Sequence, residues 1–135
     1  MGKINYSKID IINNEKGDII KLLSKDVDEF NSFGEAYFSK IKYGEVKGWK
    51  KHLKMQCILF PVFGEVDFVI YDINLNEYKI YKLSSENPYR LVIPPNNIFA
   101  FRGKKKENCI LNISDILHDP KESINFNLDE FRYSW

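Results

Sequence analysis

From Gly34 onward the chain alternates short apolar runs with turn-forming residues at a spacing of about ten positions, the rhythm of an antiparallel sandwich or barrel. In Glu65-Val66-Asp67-Phe68-Val69-Ile70-Tyr71-Asp72, the residues Val66, Phe68 and Ile70 fall on one face, as expected of a half-buried strand. Gly64 and Asn74-Leu75-Asn76 bracket that strand as turns. The same pattern predicts strands over Asp18 to Leu23, Ala36 to Ile41, Cys57 to Phe63, Glu77 to Leu83, Tyr89 to Ile93, Ile98 to Arg102 and Cys109 to Ile113. β-Branched and aromatic residues fill these runs, so helix is scarce. One short helix is predicted over Asp26 to Phe33, where Val27, Phe30 and Phe33 recur at three-residue steps and Asp26 and Asp28 favour the positive end. Pro94-Pro95-Asn96-Asn97 predicts a sharp loop, and Lys104-Lys105-Lys106 a solvated hairpin tip.

Composition narrows the possibilities. A length of 135 residues is that of one domain, and the 15% aromatic content excludes a disordered chain. With 20 basic against 19 acidic side chains there is no global field to hold a nucleic acid or a membrane surface. No apolar run approaches the roughly 20 residues that cross a bilayer. The start, Met1-Gly2-Lys3-Ile4-Asn5-Tyr6, lacks the apolar stretch of a signal peptide, which leads to the expectation of a cytoplasmic protein. Cys57 and Cys109 lie among apolar neighbours and read as buried, reduced thiols in strands.

Candidate chemistry concentrates in Gly44-Glu45-Val46-Lys47-Gly48-Trp49-Lys50-Lys51-His52-Leu53-Lys54-Met55, which holds four lysines, a tryptophan and one of two histidines in twelve positions. As a regular strand it puts Gly48, Lys50, His52 and Lys54 on one face and Lys47, Trp49, Lys51, Leu53 and Met55 on the other. Charge on both faces fits either a lysine-protected edge strand or a strand whose cations line a cavity and meet an anion. Tested against the metal-binding cupin pattern, the ligand positions fall on Lys50, His52, Gln56 and Ala100. One imidazole among four does not hold a divalent ion, so no metal and no cofactor is expected.

Several blocks in order carry a family likeness: Gly34-Glu35-Ala36-Tyr37-Phe38-Ser39, the Gly44 to His52 segment, Pro61 to Asp72, Arg90-Leu91-Val92-Ile93-Pro94-Pro95, Asn112 to Pro120, and Phe131-Arg132-Tyr133-Ser134-Trp135. Together they resemble short members of the dTDP-4-dehydrorhamnose 3,5-epimerase family. That resemblance implies an all-β cupin jelly roll, usually a homodimer, binding nucleotide-diphosphate 4-keto-6-deoxy sugars in surface-polysaccharide pathways of the O-antigen type. It implies a proton removed beside the ketone by one side chain and returned to the opposite face by another. In the family the base is a histidine in an R-G-L-H segment and the acid a tyrosine on a later strand. These four positions correspond here to Lys47, Gly48, Trp49 and Lys50, and the tyrosine position to Asn112.

With both members of that dyad replaced, three readings follow. In the first, Lys50, His52 or His118 moves the proton of an epimerase or 3,4-ketoisomerase, with Asn112 at the acid position. In the second, the chain binds a nucleotide sugar without turnover, Lys47 and Arg102 neutralising the diphosphate while Tyr37 or Trp49 stacks on base or sugar. In the third it is a jelly-roll interaction protein whose aromatic C-terminus, Phe126 to Trp135, packs on a partner or seals a dimer. The first, with epimerisation of one carbon beside the ketone, is the reading taken forward.

Overall fold

The computed structural model describes residues 2–135, and over these the chain forms twelve strands and one 3-10 turn, Pro120–Glu122. The strands are β1 (Asn5–Lys8), β2 (Asp10–Ile12), β3 (Ile19–Lys21), β4 (Glu35–Lys42), β5 (Val46–His52), β6 (Cys57–Phe63), β7 (Glu65–Asp72), β8 (Glu77–Ser84), β9 (Tyr89–Ile93), β10 (Ile98–Gly103), β11 (Glu107–Ser114) and β12 (Ser123–Asn125). Two five-stranded antiparallel sheets, ordered β1-β9-β6-β11-β4 and β12-β5-β10-β7-β8, make the cupin jelly roll that the pattern and the family likeness imply. Leu59, Leu91 and Ile110 of the first sheet meet Val66, Phe68 and Leu83 of the second in the core between them. Cys57 and Cys109 are free and buried, in β6 and β11.

β7 departs from the half-buried expectation. Val66, Phe68 and Ile70 face the inter-sheet core, yet Val69 and Tyr71 on the other face are buried as well, at 1% and 9% exposure. The cover is the chain's own C-terminal tail. Phe126, Phe131, Tyr133 and Trp135 pack with Tyr78 onto the outer face of the second sheet around Trp49, Val69, Tyr71, Ile98 and Ala100. The aromatic C-terminus therefore engages its own barrel, and its apolar rings need no partner chain to leave water.

The helix expected over Asp26 to Phe33 is absent. Two successive turns stand there, with the Val27 N–H donating to the Ser24 carbonyl at 3.1 Å and the Phe30 N–H to that of Val27 at 3.0 Å. Turns stacked three residues apart reproduce the spacing that reads as a helix. The Asp26 carboxylate accepts the Ser24 hydroxyl instead of capping the backbone ahead of it, and that bond holds its pKa below the usual carboxylate range. Phe30 packs on the apolar cluster of Ile58, Phe60 and Val92, while Phe33 is 63% exposed. The strand expected over Asp18 to Leu23 is confined to Ile19–Lys21, which pairs only with β2 in a two-stranded ribbon.

Candidate functional site

β5 owes its chemistry to one irregularity. Its register against β10 pairs Lys47 with Phe101, Gly48 with Ala100, and Lys50 with Phe99, so Trp49 is an extra residue bulged from the ladder. A one-residue slip exchanges faces. Regular alternation separates Lys47 from Lys50; across the bulge Lys47, Lys50 and His52 all line one cavity, as do Phe99 and Phe101 opposite them on β10. Gly48 is the residue that permits this. Its φ is +139°, and a Cβ there would stand 2.5 Å from the Ala100 Cβ and 2.7 Å from the Ala100 Cα.

The expelled Trp49 is fully buried on the far side of the sheet, its ring centroid 5.7 Å from Phe131, 5.8 Å from Trp135 and 6.1 Å from Tyr78. Its indole N–H donates to the Leu128 carbonyl at 3.3 Å, and its own carbonyl accepts the Phe126 N–H at 2.8 Å. An indole so enclosed does not stack on a ligand, which corrects the binding role expected of it. Arg102 does not line the cavity. It alternates with the cavity-lining Phe101 on β10 and so lies on the face of Ile98 and Ala100, which pack with Trp49.

His52 ends β5 with its ring stacked on Phe99, centroids 5.9 Å apart. Its Nδ1 lies 2.5 Å from Oε1 of Glu122, a side chain only 3% exposed. Asp119 caps the turn that presents this glutamate, accepting the Lys121 N–H at 3.0 Å, and Pro120 starts it. The second carboxylate oxygen accepts the N–H groups of Leu53, Lys54 and Met55, each at 3.2 Å. Burial pushes the Glu122 pKa up, but the bonds from His52, Lys54 and Met55 prevail and hold it below the ordinary value. An ionised carboxylate accepts only, so Nδ1 carries the ring hydrogen in this contact. β12 fixes the strand's outer edge, pairing Ser123 with His52 and Asn125 with Lys50.

The cavity between the sheets has a volume of about 410 Å³, within the range of small-molecule sites. Among the described residues no carboxylate lines it. The Lys47 ammonium donates to the Lys40 carbonyl at 2.7 Å, and among the described residues Lys50 makes no ion pair. On the opposite wall, Tyr37 of β4 and Asn112 of β11 are direct cross-strand partners, the Asn112 Nδ2 donating to the Tyr37 hydroxyl at 2.8 Å. Burial drives the Tyr37 phenol up to about 12, so it stays protonated at neutral pH. Cys57 on the floor is likewise raised to about 12 by burial, and a thiol held protonated is no nucleophile.

The structure thus gathers Lys47, Lys50, His52, Tyr37 and Asn112 about one cavity. His118 stands apart, exposed in the loop after β11, with its N–H donating to the Glu35 carboxylate at 2.9 Å. His118→Ala is accordingly expected to leave any turnover in this cavity within about twofold of the unaltered protein in a steady-state assay, as for a surface substitution away from the chemistry. Glu122, Ser39 and Asn125 are additions that sequence reasoning missed. The one available signal for Glu122 is its capping turn, Asp119-Pro120-Lys121-Glu122. The cupin metal positions do not make a metal site, since Lys50 and Ala100 offer no suitable donor and the Nδ1 of His52 is engaged by Glu122. Among the described residues no three His, Cys, Asp or Glu side chains converge on a point.

No family model matches the chain. The curated spore coat polysaccharide biosynthesis protein SpsL of Bacillus subtilis (strain 168) is 27% identical over 93 residues, which are 65% of this chain and 62% of that protein. Among solved structures, a dTDP sugar isomerase from Desulfovibrio desulfuricans G20 superposes with a TM-score of 0.88 at 28% identity, over 98% of this chain and 90% of that one. The dTDP-4-dehydrorhamnose 3,5-epimerase of Bacillus anthracis str. Ames, with TDP and PPi bound, matches at a TM-score of 0.86 and 16% identity, over 98% and 84% of the two chains.

Proposed function

We propose that the protein is a sugar-nucleotide epimerase that inverts a carbon beside the ketone of a nucleotide-diphosphate 4-keto-6-deoxyhexose in the biosynthesis of a surface polysaccharide. The observation that carries this reading is the His52–Glu122 pair opening into a cationic cavity free of carboxylates. Deprotonation beside a ketone needs a base of near-neutral strength and a positive group where the enolate charge appears. Nε2 of His52 takes the proton, and Glu122 stabilises the imidazolium that results. The Lys50 cation faces the developing oxyanion. Lys47, with two ammonium hydrogens left after its bond to the Lys40 carbonyl, meets the diphosphate.

The dTDP sugar isomerase and the 3,5-epimerase share the fold, and SpsL supports a place in polysaccharide assembly. A nucleotide-linked substrate would support a cytoplasmic setting for the reaction. A homodimer is the working assembly: β4 is an edge strand of its sheet, and Phe38 on it is 66% exposed.

Incubation with dTDP-4-keto-6-deoxyglucose in deuterated water is expected to incorporate solvent deuterium at a ring carbon beside the ketone, read by NMR and mass spectrometry. Tight nucleotide binding without incorporation would make the protein an accessory subunit. No binding of the nucleotide sugar would leave a jelly-roll interaction protein.

A further inference from the structure

Two proton-handling side chains face each other across the cavity from different sheets. His52 belongs to β5 of one sheet, and Tyr37 to β4 of the other. The position at which the family likeness implies an acidic tyrosine is occupied by Asn112, yet the residue directly across the ladder from Asn112 is Tyr37. The amide nitrogen of Asn112 donates to the phenol oxygen at 2.8 Å, and a phenol that accepts there must direct its single proton elsewhere. The amide oxygen of Asn112, buried and without a protein partner, does not take that proton. What remains for it is the cavity, which Tyr37 lines while still 44% exposed.

We infer that Tyr37 is the acid that returns the proton to the face opposite His52, with Asn112 as the positioning residue that turns the phenol toward the substrate. This rests on the epimerase reading and deepens it. The C–H bond beside the ketone breaks toward Nε2 of His52, its electron pair becoming the enolate. The enolate carbon then takes the phenol proton of Tyr37 on its other face, leaving a phenolate. Solvent reprotonates the phenolate and removes the proton from the imidazolium, so both groups are restored with no further reactant. A donor on the opposite wall gives inversion. A 3,4-ketoisomerase, in contrast, can return the proton to a neighbouring carbon from the same side.

The test compares two rates for each protein with dTDP-4-keto-6-deoxyglucose in deuterated water: deuterium wash-in at the carbon beside the ketone with configuration retained, and appearance of the inverted sugar. Tyr37→Phe removes the acid and leaves His52 in place. Its wash-in is expected to fall less than about tenfold while inversion falls at least about 10²-fold, the scale of a lost general acid. Asn112→Asp supplies a carboxylate that accepts the phenol proton and turns it away from the cavity, and the ratio of inversion to wash-in is expected to fall about tenfold or more. A Tyr37→Phe protein in which both rates drop equally, or neither drops, overturns the assignment of Tyr37. An unchanged ratio in Asn112→Asp overturns the positioning role. Wash-in with migration of the carbonyl and no inverted sugar in the unaltered protein overturns the inference while the isomerase reading survives. Complete absence of wash-in and of product in the unaltered protein sinks the functional reading beneath it.

Discussion

His52→Ala is expected to lower deuterium incorporation from solvent by about 10³-fold, within the range that a positioned general base contributes, while the protein remains folded. The fold should tolerate the loss because Glu122 does not depend on His52 alone. Its second oxygen keeps three backbone N–H partners, from Leu53, Lys54 and Met55, so the carboxylate is not left buried and unsatisfied. Glu122→Gln separates orientation from basicity. An amide in that place can keep its oxygen on the three backbone N–H groups, but its NH₂ then turns to Nδ1 and favours the opposite His52 tautomer. A loss on the order of 10²-fold in exchange is expected, together with about 1–3 kcal/mol of stability. The stability loss is pH-dependent. The folded carboxylate is held below the 4.5 of an unperturbed glutamate, so as pH falls the unfolded chain takes up its proton first. The carboxylate's contribution is complete above about pH 4.5 and is lost as pH falls through the depressed folded value. Thermal unfolding of Glu122→Gln and the unaltered protein should therefore differ most at neutral pH and converge in acid. Equal gaps at both pH values would show that the carboxylate's charge contributes nothing, and an exchange rate in His52→Ala equal to that of the unaltered protein would remove this residue from the chemistry.

Much of the sheet was legible in the chain because a strand's period of two is a local property. β6, β7, β8, β9, β10 and β11 lie within a residue or two of the positions that alternation and turn residues predict. Long-range pairings were not legible. β12 is three residues long and exists because β5 offers an edge, and Glu122 reaches His52 across 70 positions of sequence. The cation-rich segment announced itself by composition, since lysines on both faces of a strand need an explanation. Its facial assignment failed at a single bulge, which period-two counting cannot detect and which transfers Lys47 to the side of Lys50 and His52. The burial of Trp49 is illegible in the sequence for a related reason. Aromatic side chains near cations look like a ligand platform, and only the return of the C-terminal tail reveals a private apolar cluster that closes over Trp49. The sequence marks Tyr37 only as a ring that can stack, whereas its hydroxyl contact with Asn112 requires the β4–β11 register to be known.

Gly48→Ala is expected to be strongly destabilising. Two costs combine. A non-glycine residue at φ +139° occupies sparsely populated backbone space, at about 1–3 kcal/mol, and the new Cβ meets Ala100 at 2.5 and 2.7 Å, where overpacking adds a further 1–3 kcal/mol or so. The second contact includes the Ala100 Cα, which is main chain and cannot swing aside. A loss of roughly 3–5 kcal/mol in urea unfolding follows, a large fraction of a typical domain's stability. Gly44→Ala is the control. Gly44 has φ +74° with nothing within 4 Å of a Cβ, so only the left-handed penalty of about 1–2 kcal/mol applies, and β5 is undisturbed. The two variants should also part in function. Whatever folded Gly48→Ala protein survives at low temperature must relieve the clash by shifting β5 against β10, and a shift there moves Lys47, Lys50 and His52 together because all three hang from the same bulge. Its affinity for TDP and its exchange rate should fall together, each by tenfold or more on the scale of a misplacement near 1 Å, while Gly44→Ala retains both. If Gly48→Ala proved as mild as Gly44→Ala in unfolding and in TDP binding, β5 would have to tolerate a Cβ at the bulge, and the cavity face of Lys47 would need another origin.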